Sequence, residues 1–291
     1  MDSNHVMICL VGEQPIPNLL AIRDYQTQKV LLVYTETTKK AYENLCTILN
    51  SCQIHSLEVS PYDILDIQSK INKEVDSQCW KSTDLVFNLT GGTKPMSLGA
   101  FRLAEQLKSE IVYLQSEKRK SIVYNYAFHD GELRLQSNQE SSSYISIEDY
   151  LDAHGLKYTK RSKAEEFEEL VHLALKCEVC QIMMNICIGG SLEIDLLLRC
   201  KNQIGIAEIK TGKKAKKKES IDQLSTATQR EFLGTYTKRF LILDQELGSD
   251  NRKLAEAHHI KVIELLDDHS NGLSETDKDH LINTVKKDLG C

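Results

Sequence analysis

The chain has 291 residues, of which 41% are hydrophobic and 27% charged, with a formal net charge of −6. That length gives room for two domains, each able to bury its own core, and no apolar run approaches a membrane span. Cutting at residue 145 leaves about −3 on each side, so any nucleic-acid contact has to be a local patch and not a global field.

The chain opens on Met-Asp-Ser-Asn-His without basic residues, so the apolar run Val6–Val11 reads as a first strand and not a signal peptide. Strands are expected at His5–Gly12, Lys29–Thr37, Ile54–Val59, Asp84–Thr90 and Glu110–Gln115. Helices are expected near Asn18–Gln26, Thr38–Ser51, Tyr62–Trp80 and Pro95–Lys108, with the periodicity clearest in Ala41, Leu45, Ile48 and Leu49. Strands alternating with helices imply right-handed βαβ units and a mostly parallel, doubly wound sheet. Ser121–Arg134 then reads as a hairpin turning at His129-Asp130-Gly131. The Ser-rich stretch Ser137–Ser143 is the linker candidate, dividing the chain into an N-terminal domain at 1–140 and a C-terminal α/β domain at 141–291.

In the first domain one stretch carries chemistry: Asn88-Leu89-Thr90-Gly91-Gly92-Thr93-Lys94-Pro95-Met96. It follows an apolar strand and opens a helix, with Pro95 suited to the first helical turn. Ligands of doubly wound sheets bind at the carboxyl ends of strands, where helix N-termini offer free N–H groups to anions. It is neither a Walker A loop nor G-x-G-x-x-G, but two glycines and a Thr-Lys donor pair favour a bound anion over an ordinary βα turn. Gly12-Glu13-Gln14-Pro15 and Thr35-Glu36-Thr37 end the first two strands and should line the same edge.

The second domain starts with a helix, Ala164–Leu175, whose buried stripe is Phe167, Leu170, Val171 and Ala174. Glu166 and Glu168 flank that stripe, within reach of a site between helix and sheet. From Leu192 to Gly212 two strands are joined by the turn Arg199–Gln203. Asp195 lies in the first; Glu208 and Lys210 share a face of the second while Ile209 points to the core. Two carboxylates and an ammonium in apolar strands are costly unless something neutralises them. Oxygen ligands suit Mg²⁺ or Mn²⁺, and the lysine can handle an attacking water, which is phosphodiester chemistry. The alternative is a surface ion-pair hairpin. Lys213–Lys218, five lysines in six residues, follows at once and reads as a phosphate-backbone contact. A helix near Ser220–Phe232, a last strand at Arg239–Leu243 and terminal helices close the domain. His258-His259 reads as a solvated helix pair.

The nine cysteines are odd in number and scattered through apolar runs, as reduced thiols of a cytoplasmic protein are. Cys177-x-x-Cys180 with Cys187 and Cys200 lacks a second CxxC pair, so core thiols are expected there and not zinc.

These two sites in this order carry a resemblance. The run NLTGGTKPM in a doubly wound domain resembles the signature of CARF domains, which sense cyclic oligoadenylates in type III CRISPR immunity. EID followed by IAEIKTG resembles the PD-(D/E)xK nuclease core, here with Ile194 where that family has a proline. Together they are similar to the CARF-nuclease effectors called CRISPR ancillary nucleases, from VGEQPIPNLL at residue 11 to the second helix of the C-terminal domain. The resemblance implies Glu168, Asp195, Glu208 and the Ile209 carbonyl as ligands of Mn²⁺ or Mg²⁺, Lys210 as the water-handling lysine and Gln223 as a substrate contact. It implies Gly12, Gln14, Thr35, Thr90, Gly91, Gly92, Thr93, Lys94 and Met96 around a cyclic oligoadenylate, with cyclic tetra-adenylate the expected activator and a homodimer the expected assembly. The implied substrate is DNA and/or RNA. A sensor without catalysis, or a stand-alone repair or restriction nuclease with a mononucleotide site, are the competing readings.

Overall fold

The computed structural model describes residues 5–117, 119–161, 164–212, 218–229, 233–234 and 237–291. These divide into two compact units, residues 1–144 with 152–155, and residues 145–151 with 156–291. Each unit is a mixed α/β domain built on its own sheet. Among the described residues, no helix is long and apolar enough to cross a membrane.

The first sheet has five parallel strands: β1 (Val6–Leu10), β2 (Lys29–Tyr34), β3 (Gln53–Glu58), β4 (Leu85–Asn88) and β5 (Glu110–Glu117). They lie in the order β3-β2-β1-β4-β5, continued by the antiparallel β6 (Lys120–His129) and β7 (Glu132–Glu140). This is the doubly wound arrangement expected from the alternation of elements. The strand order reverses between β1 and β4, and the loops leaving those two strands flank the crevice where such sheets take their ligands. β1 is buried at all five positions, which is why its sequence reads as an unbroken apolar run and not an alternation.

Helices α1 (Ile16–Asp24), α2 (Lys39–Ile48), α3 (Ile64–Ser77) and α4 (Lys94–Leu107) make the crossovers. α3 and α4 share a core with the sheet through Ile67, Ile71, Val75, Met96, Ala100 and Leu103. They approach closely where α4 carries Gly99: a Cβ there would meet the Ile64 carbonyl at 2.9 Å. The β6–β7 turn is Asp130-Gly131, with φ of 53° and 85°. Both values are positive, as a two-residue type I′ turn demands, so the Asp-Gly signal marked the hairpin correctly.

The Ser-rich stretch is not a free linker. Residues 137–140 belong to β7 and pair with β6, Ser141 donates its N–H to the Ser121 carbonyl (2.7 Å), and Asp24 accepts from the Ser143 N–H (2.7 Å). Polar side chains suit an edge strand with one wet face as well as they suit a loop, so composition could not separate the two.

The second sheet runs β13-β12-β11-β10-β9-β8. β8 (Tyr158–Lys160), β9 (Gln181–Ile188), β10 (Leu192–Cys200) and β11 (Gln203–Lys210) are antiparallel; β12 (Lys238–Leu243) and β13 (Ile260–Glu264) run parallel to β11. α6 (Glu166–Leu175) and α9 (Glu275–Leu289) contribute Val171, Leu175, Leu281, Val285 and Leu289 to the same buried cluster as Leu196, Ala207, Ile209 and Phe240. α5 (Ile147–Ala153), α7 (Glu219–Ala227) and α8 (Ser249–Ala257) complete the helices.

Four elements here, α5, β8, β9 and β13, escape the sequence reading. β9, Gln181–Ile188, is an apolar run too short to be told from buried helix by periodicity, and β13 follows the strand read as the last. Cys177 lies in the turn after α6. The β10–β11 turn is tighter than read, only Lys201-Asn202, with Lys201 at φ of 50°. Cys200 is not a free thiol: it is joined to Cys291 in a disulfide whose Cα atoms are 5.4 Å apart, because α9 and a left-handed Gly290 (φ 76°) bring Cys291 to the end of β10. His258 caps α8 and its Nδ1 lies 3.1 Å from Ser225 Oγ, so it is no solvated pair with His259.

Candidate functional site

In the first domain the loop 88–93 is held from beneath by a buried amide pair. Asn18 on α1 donates to the Leu10 carbonyl (2.9 Å), and Asn88 at the end of β4 donates to Asn18 Oδ1 (2.9 Å). Asn88 Oδ1 in turn accepts from the Thr90 N–H (3.1 Å) and hydroxyl (2.7 Å). Both asparagines are fully buried, and every polar atom spent this way fixes the loop relative to β1 and β4. Neither was expected from the sequence; an asparagine inside the apolar run Ile16–Ile22 and another closing Val86-Phe87 were the available signals.

Glycine is required twice. A Cβ on Gly91 would lie 2.1 Å from the Leu10 carbonyl, inside any tolerable contact, and Gly92 sits at φ of 72°. Gly12 approaches from the β1 side, where a Cβ would meet the Gly92 nitrogen at 3.0 Å. The loops after β1 and β4 therefore touch backbone to backbone.

Several expected ligand contacts are turned inward. The Thr90 hydroxyl also accepts from the Leu114 N–H (2.8 Å), and the Thr93 hydroxyl donates to the Pro61 carbonyl (2.6 Å) while capping α4 at Met96 N–H (3.3 Å). Thr35 is buried and shares its hydroxyl with Thr37 and Thr38. Met96 is fully buried with its sulfur under Gly92 and Thr93. All four help build the loops, Thr35 and Met96 from buried positions and Thr90 and Thr93 from half-buried ones; a hydroxyl or apolar residue in a glycine-rich motif can serve the backbone as well as a ligand. Gln14 lies 3.5 Å from His154 Nε2. Lys94 is exposed at the first position of α4. Among the described residues, the N–H groups of Gly91, Gly92 and Lys94 find no protein acceptor, so a backbone nest and one ammonium remain to receive an anion.

In the second domain the β10–β11 hairpin brings the expected carboxylates together. Asp195 and Glu208 are 7% and 2% exposed. Asp195 Oδ2 accepts from the Ile209 N–H (2.7 Å) and from Lys210 Nζ (3.2 Å), and the same ammonium lies 2.5 Å from Glu208 Oε1. The Lys210 ammonium is the partner that buried oxygen has in the described structure. Burial, and after it the Asp195 charge, push the Glu208 carboxyl up to about 8. Burial works against the Lys210 charge, yet Glu208 and Asp195 outweigh it and hold the lysine above its ordinary value.

Glu168 adds a third carboxylate. It is the only one of the acidic residues at 165, 166, 168 and 169 that is buried, and its Oε2 caps α6 by accepting from the Glu165 N–H (3.1 Å). Burial first and Asp195 second raise its pKa, so it senses the same cluster. Gln223 on α7 donates to the Glu193 carbonyl (2.8 Å), tying α7 to the strand that carries Asp195. The ladder between β9 and β10 lapses opposite Asp195, at buried Asn185 with φ of 52°. A polar residue inside Gln181–Ile188 was the sequence signal for it, and it was missed. The lysine run at 213–217 lies outside the described residues.

The donor set fits a hard divalent cation: three carboxylates and the Ile209 carbonyl, all oxygen. As it stands, no three His, Cys, Asp or Glu side chains among the described residues meet as a metal cluster. The Lys210 ammonium bridges Asp195 and Glu208 and acts as their counterion.

Fold and sites define a two-domain α/β protein, one domain doubly wound with a glycine loop at its switch point, the other holding a buried carboxylate–lysine cluster. Residues 6–150 match the sequence profile of the Card1 CARF domain, so the chain carries a CARF domain. No curated protein matches it in sequence. Among solved structures it superposes on Can2 from Sulfobacillus thermosulfidooxidans in complex with cyclic tetra-adenylate, with a TM-score of 0.75 and 17% identity over 98% of this chain and 97% of that one. Protein VC1899 from Vibrio cholerae gives a TM-score of 0.79 at 13% identity over 98% and 99%. A type III CRISPR defence DNA nuclease activated by cyclic oligoadenylate gives 0.64 at 14% identity over 94% of this chain and 50% of that one. At these identities the likeness is one of fold.

Proposed function

We propose that the chain is a cyclic oligoadenylate-activated, metal-dependent nuclease of type III CRISPR antiviral defence, cleaving DNA and/or RNA in the cytoplasm, with a sensing domain at 1–140 and a PD-(D/E)xK nuclease domain at 141–291. The observation that carries it is the buried Asp195–Glu208–Lys210 cluster in a chain whose other half is a CARF domain. A binding module has no need to bury two carboxylates. The solved relatives described with cyclic tetra-adenylate or as a cyclic oligoadenylate-activated DNA nuclease support the same reading.

Asp195, Glu208, Glu168 and the Ile209 carbonyl would hold Mn²⁺ or Mg²⁺, which supplies charge stabilisation at the phosphate and a more acidic water. Asp195 is oriented for this by the Ile209 N–H, and Gln223 keeps α7 against its strand. Lys210, freed from its carboxylate partners, is placed to orient or deprotonate the attacking water. In the sensor, the Gly91, Gly92 and Lys94 N–H groups and the Lys94 ammonium bind ring phosphates, while Gly12 lets the β1 loop close on them.

The assembly is a two-fold dimer sharing one ring, since such a dimer presents the same loop twice. Exposed Tyr62 just before α3, Leu65 in its first turn and Leu98 in α4 offer the apolar surface a second copy would cover. Activation follows if the ring binds the competent arrangement better than the resting one; moving 1:99 to 99:1 needs about 5.5 kcal/mol of differential affinity.

Cleavage of single- and double-stranded DNA and RNA with Mn²⁺ or Mg²⁺, with and without cyclic tetra- and hexa-adenylate, tests the function. No cleavage under any combination would reject it. Calorimetry should give one ring per two chains; one ring per chain rules out the shared site. The second reading, a sensor without catalysis, draws on the Lys210 bridge: a cluster already neutralised by its own lysine is a stable ion-pair core that needs no cation.

A further inference from the structure

A cysteine pair outside both sites joins the element that carries Asp195 to the last helix. Cys200 ends β10 and is 1% exposed, whereas Cys291 is exposed. α9 already lies on this sheet through Leu281, Val285 and Leu289, and a Cβ on Gly205 of β11 would come within 3.0 Å of Leu289 Cδ2. Lys286 Nζ pairs with Glu178 Oε2 at 2.9 Å at the same corner. The helix is thus fastened by packing and an ion pair before the disulfide is counted, so the fold does not depend on the bond. The loop it closes spans 91 residues and contains Glu208, Lys210 and α7.

We propose that Cys200–Cys291 is a redox-operated clamp that ties the end of α9 covalently to the carboxylate hairpin when oxidised and leaves it held by packing and the ion pair alone when reduced. The inference rests on the intracellular role proposed above, because a disulfide exposed to a glutathione pool is a switch where the same bond in a secreted protein is a staple. Opening consumes two molecules of reduced glutathione. The thiolate of the first attacks the exposed Cys291 sulfur, the S–S bond breaks, and Cys200 leaves as a thiolate that takes up a proton. The thiolate of the second attacks the glutathione sulfur of the mixed disulfide, releasing Cys291 as a thiol and leaving oxidised glutathione. Two electrons pass to the protein. Closure is the reverse, with oxidised glutathione as the acceptor.

The seven remaining cysteines provide the internal count. The full chain is equilibrated in a series of glutathione buffers from fully reduced to fully oxidised, quenched in acid, unfolded and alkylated. A clamp of this kind gives nine alkylated cysteines at the reduced end and seven at the oxidised end, with a Cys200–Cys291 linked peptide and a midpoint inside the series. Closing a loop of this length should raise the unfolding midpoint of the second domain by roughly 10 °C. Cys291→Ser should unfold at the reduced wild-type temperature in every buffer. A pair that stays bonded in fully reduced glutathione is a permanent staple and overturns the switch. Nine free thiols throughout, or a Cys177–Cys180 link in its place, overturns the pairing. Neither readout uses cleavage, so a chain without nuclease activity leaves the clamp testable, and a failed clamp leaves the nuclease reading intact.

Discussion

The two candidate sites are built by opposite strategies. Around Gly91 almost every polar side chain is satisfied within the protein: Asn18, Asn88, Thr90 and Thr93 bond to one another, to Leu10 or to Pro61, and what faces outward is backbone and the Lys94 ammonium. Around Glu208 the backbone is a regular ladder, and the side chains themselves are buried, charged and paired chiefly with one another. The first site is a shape prepared in advance. The second is a charge imbalance held in check by Lys210. A shape is broken by adding atoms, and a charge cluster by removing them.

The largest expected effect follows on the charge side. Glu208→Ala or Asp195→Ala should lower metal-dependent cleavage by at least about 1000-fold, the loss of several kcal/mol of transition-state stabilisation. Calorimetric binding of cyclic tetra-adenylate should stay unchanged. Cleavage at the wild-type rate in Glu208→Ala would end the assignment.

On the shape side, one methyl group should suffice. Gly91→Ala sets a Cβ at 2.1 Å from the Leu10 carbonyl, so the loop must move. We expect ring binding to vanish, with a loss of about 1–3 kcal/mol in the stability of the first domain, read by calorimetry and chemical denaturation. Lys94→Ala removes a charge without changing the shape and should weaken ring binding only about tenfold. If Lys94→Ala proves worse than Gly91→Ala, the contrast between the sites is wrong.

The charge imbalance should also appear as a pH dependence. Glu208 takes up its proton far more readily folded, at about 8, than unfolded, near the ordinary glutamate value of 4.5. The folded state therefore binds more protons, and its stability is full below about 4.5 and declines as pH rises through 8. In chelator, the second domain should melt at lower temperature at pH 9 than at pH 5.5, and Glu208→Gln should flatten that slope. A Glu208→Gln protein with the wild-type slope would show that burial of the carboxyl is not the cause.

The smallest effect concerns the lysines at 213–218. Neutralising two should reduce the salt slope of substrate binding by roughly one unit per lost phosphate contact. An unchanged slope assigns the run to solvent.

The parallel, doubly wound character of the first sheet, the Asp130-Gly131 hairpin and the pairing of Asp195 with Glu208 and Lys210 were all legible in the sequence. Each depends on local rules: alternation of elements, turn residues that tolerate positive φ, and period-two faces of adjacent strands. The CARF run was legible too, but the roles of its members were not. Thr90, Thr93 and Met96 look like ligand residues in a one-dimensional motif, and only the positions of Leu114, Pro61 and Gly92 in space show that they also hold the loop together.

Strand β9, the lapse at Asn185 and the Cys200–Cys291 bond depended in the same way on distant partners. Cys291 is 91 residues from Cys200, and no spacing rule connects them until α9 lies across the sheet. What the chain determined alone was the kind of each element and which side chains share a face. What the tertiary structure decided was which polar groups are already spent on the protein itself, because a hydrogen bond between residues far apart in sequence leaves no periodic trace along the chain.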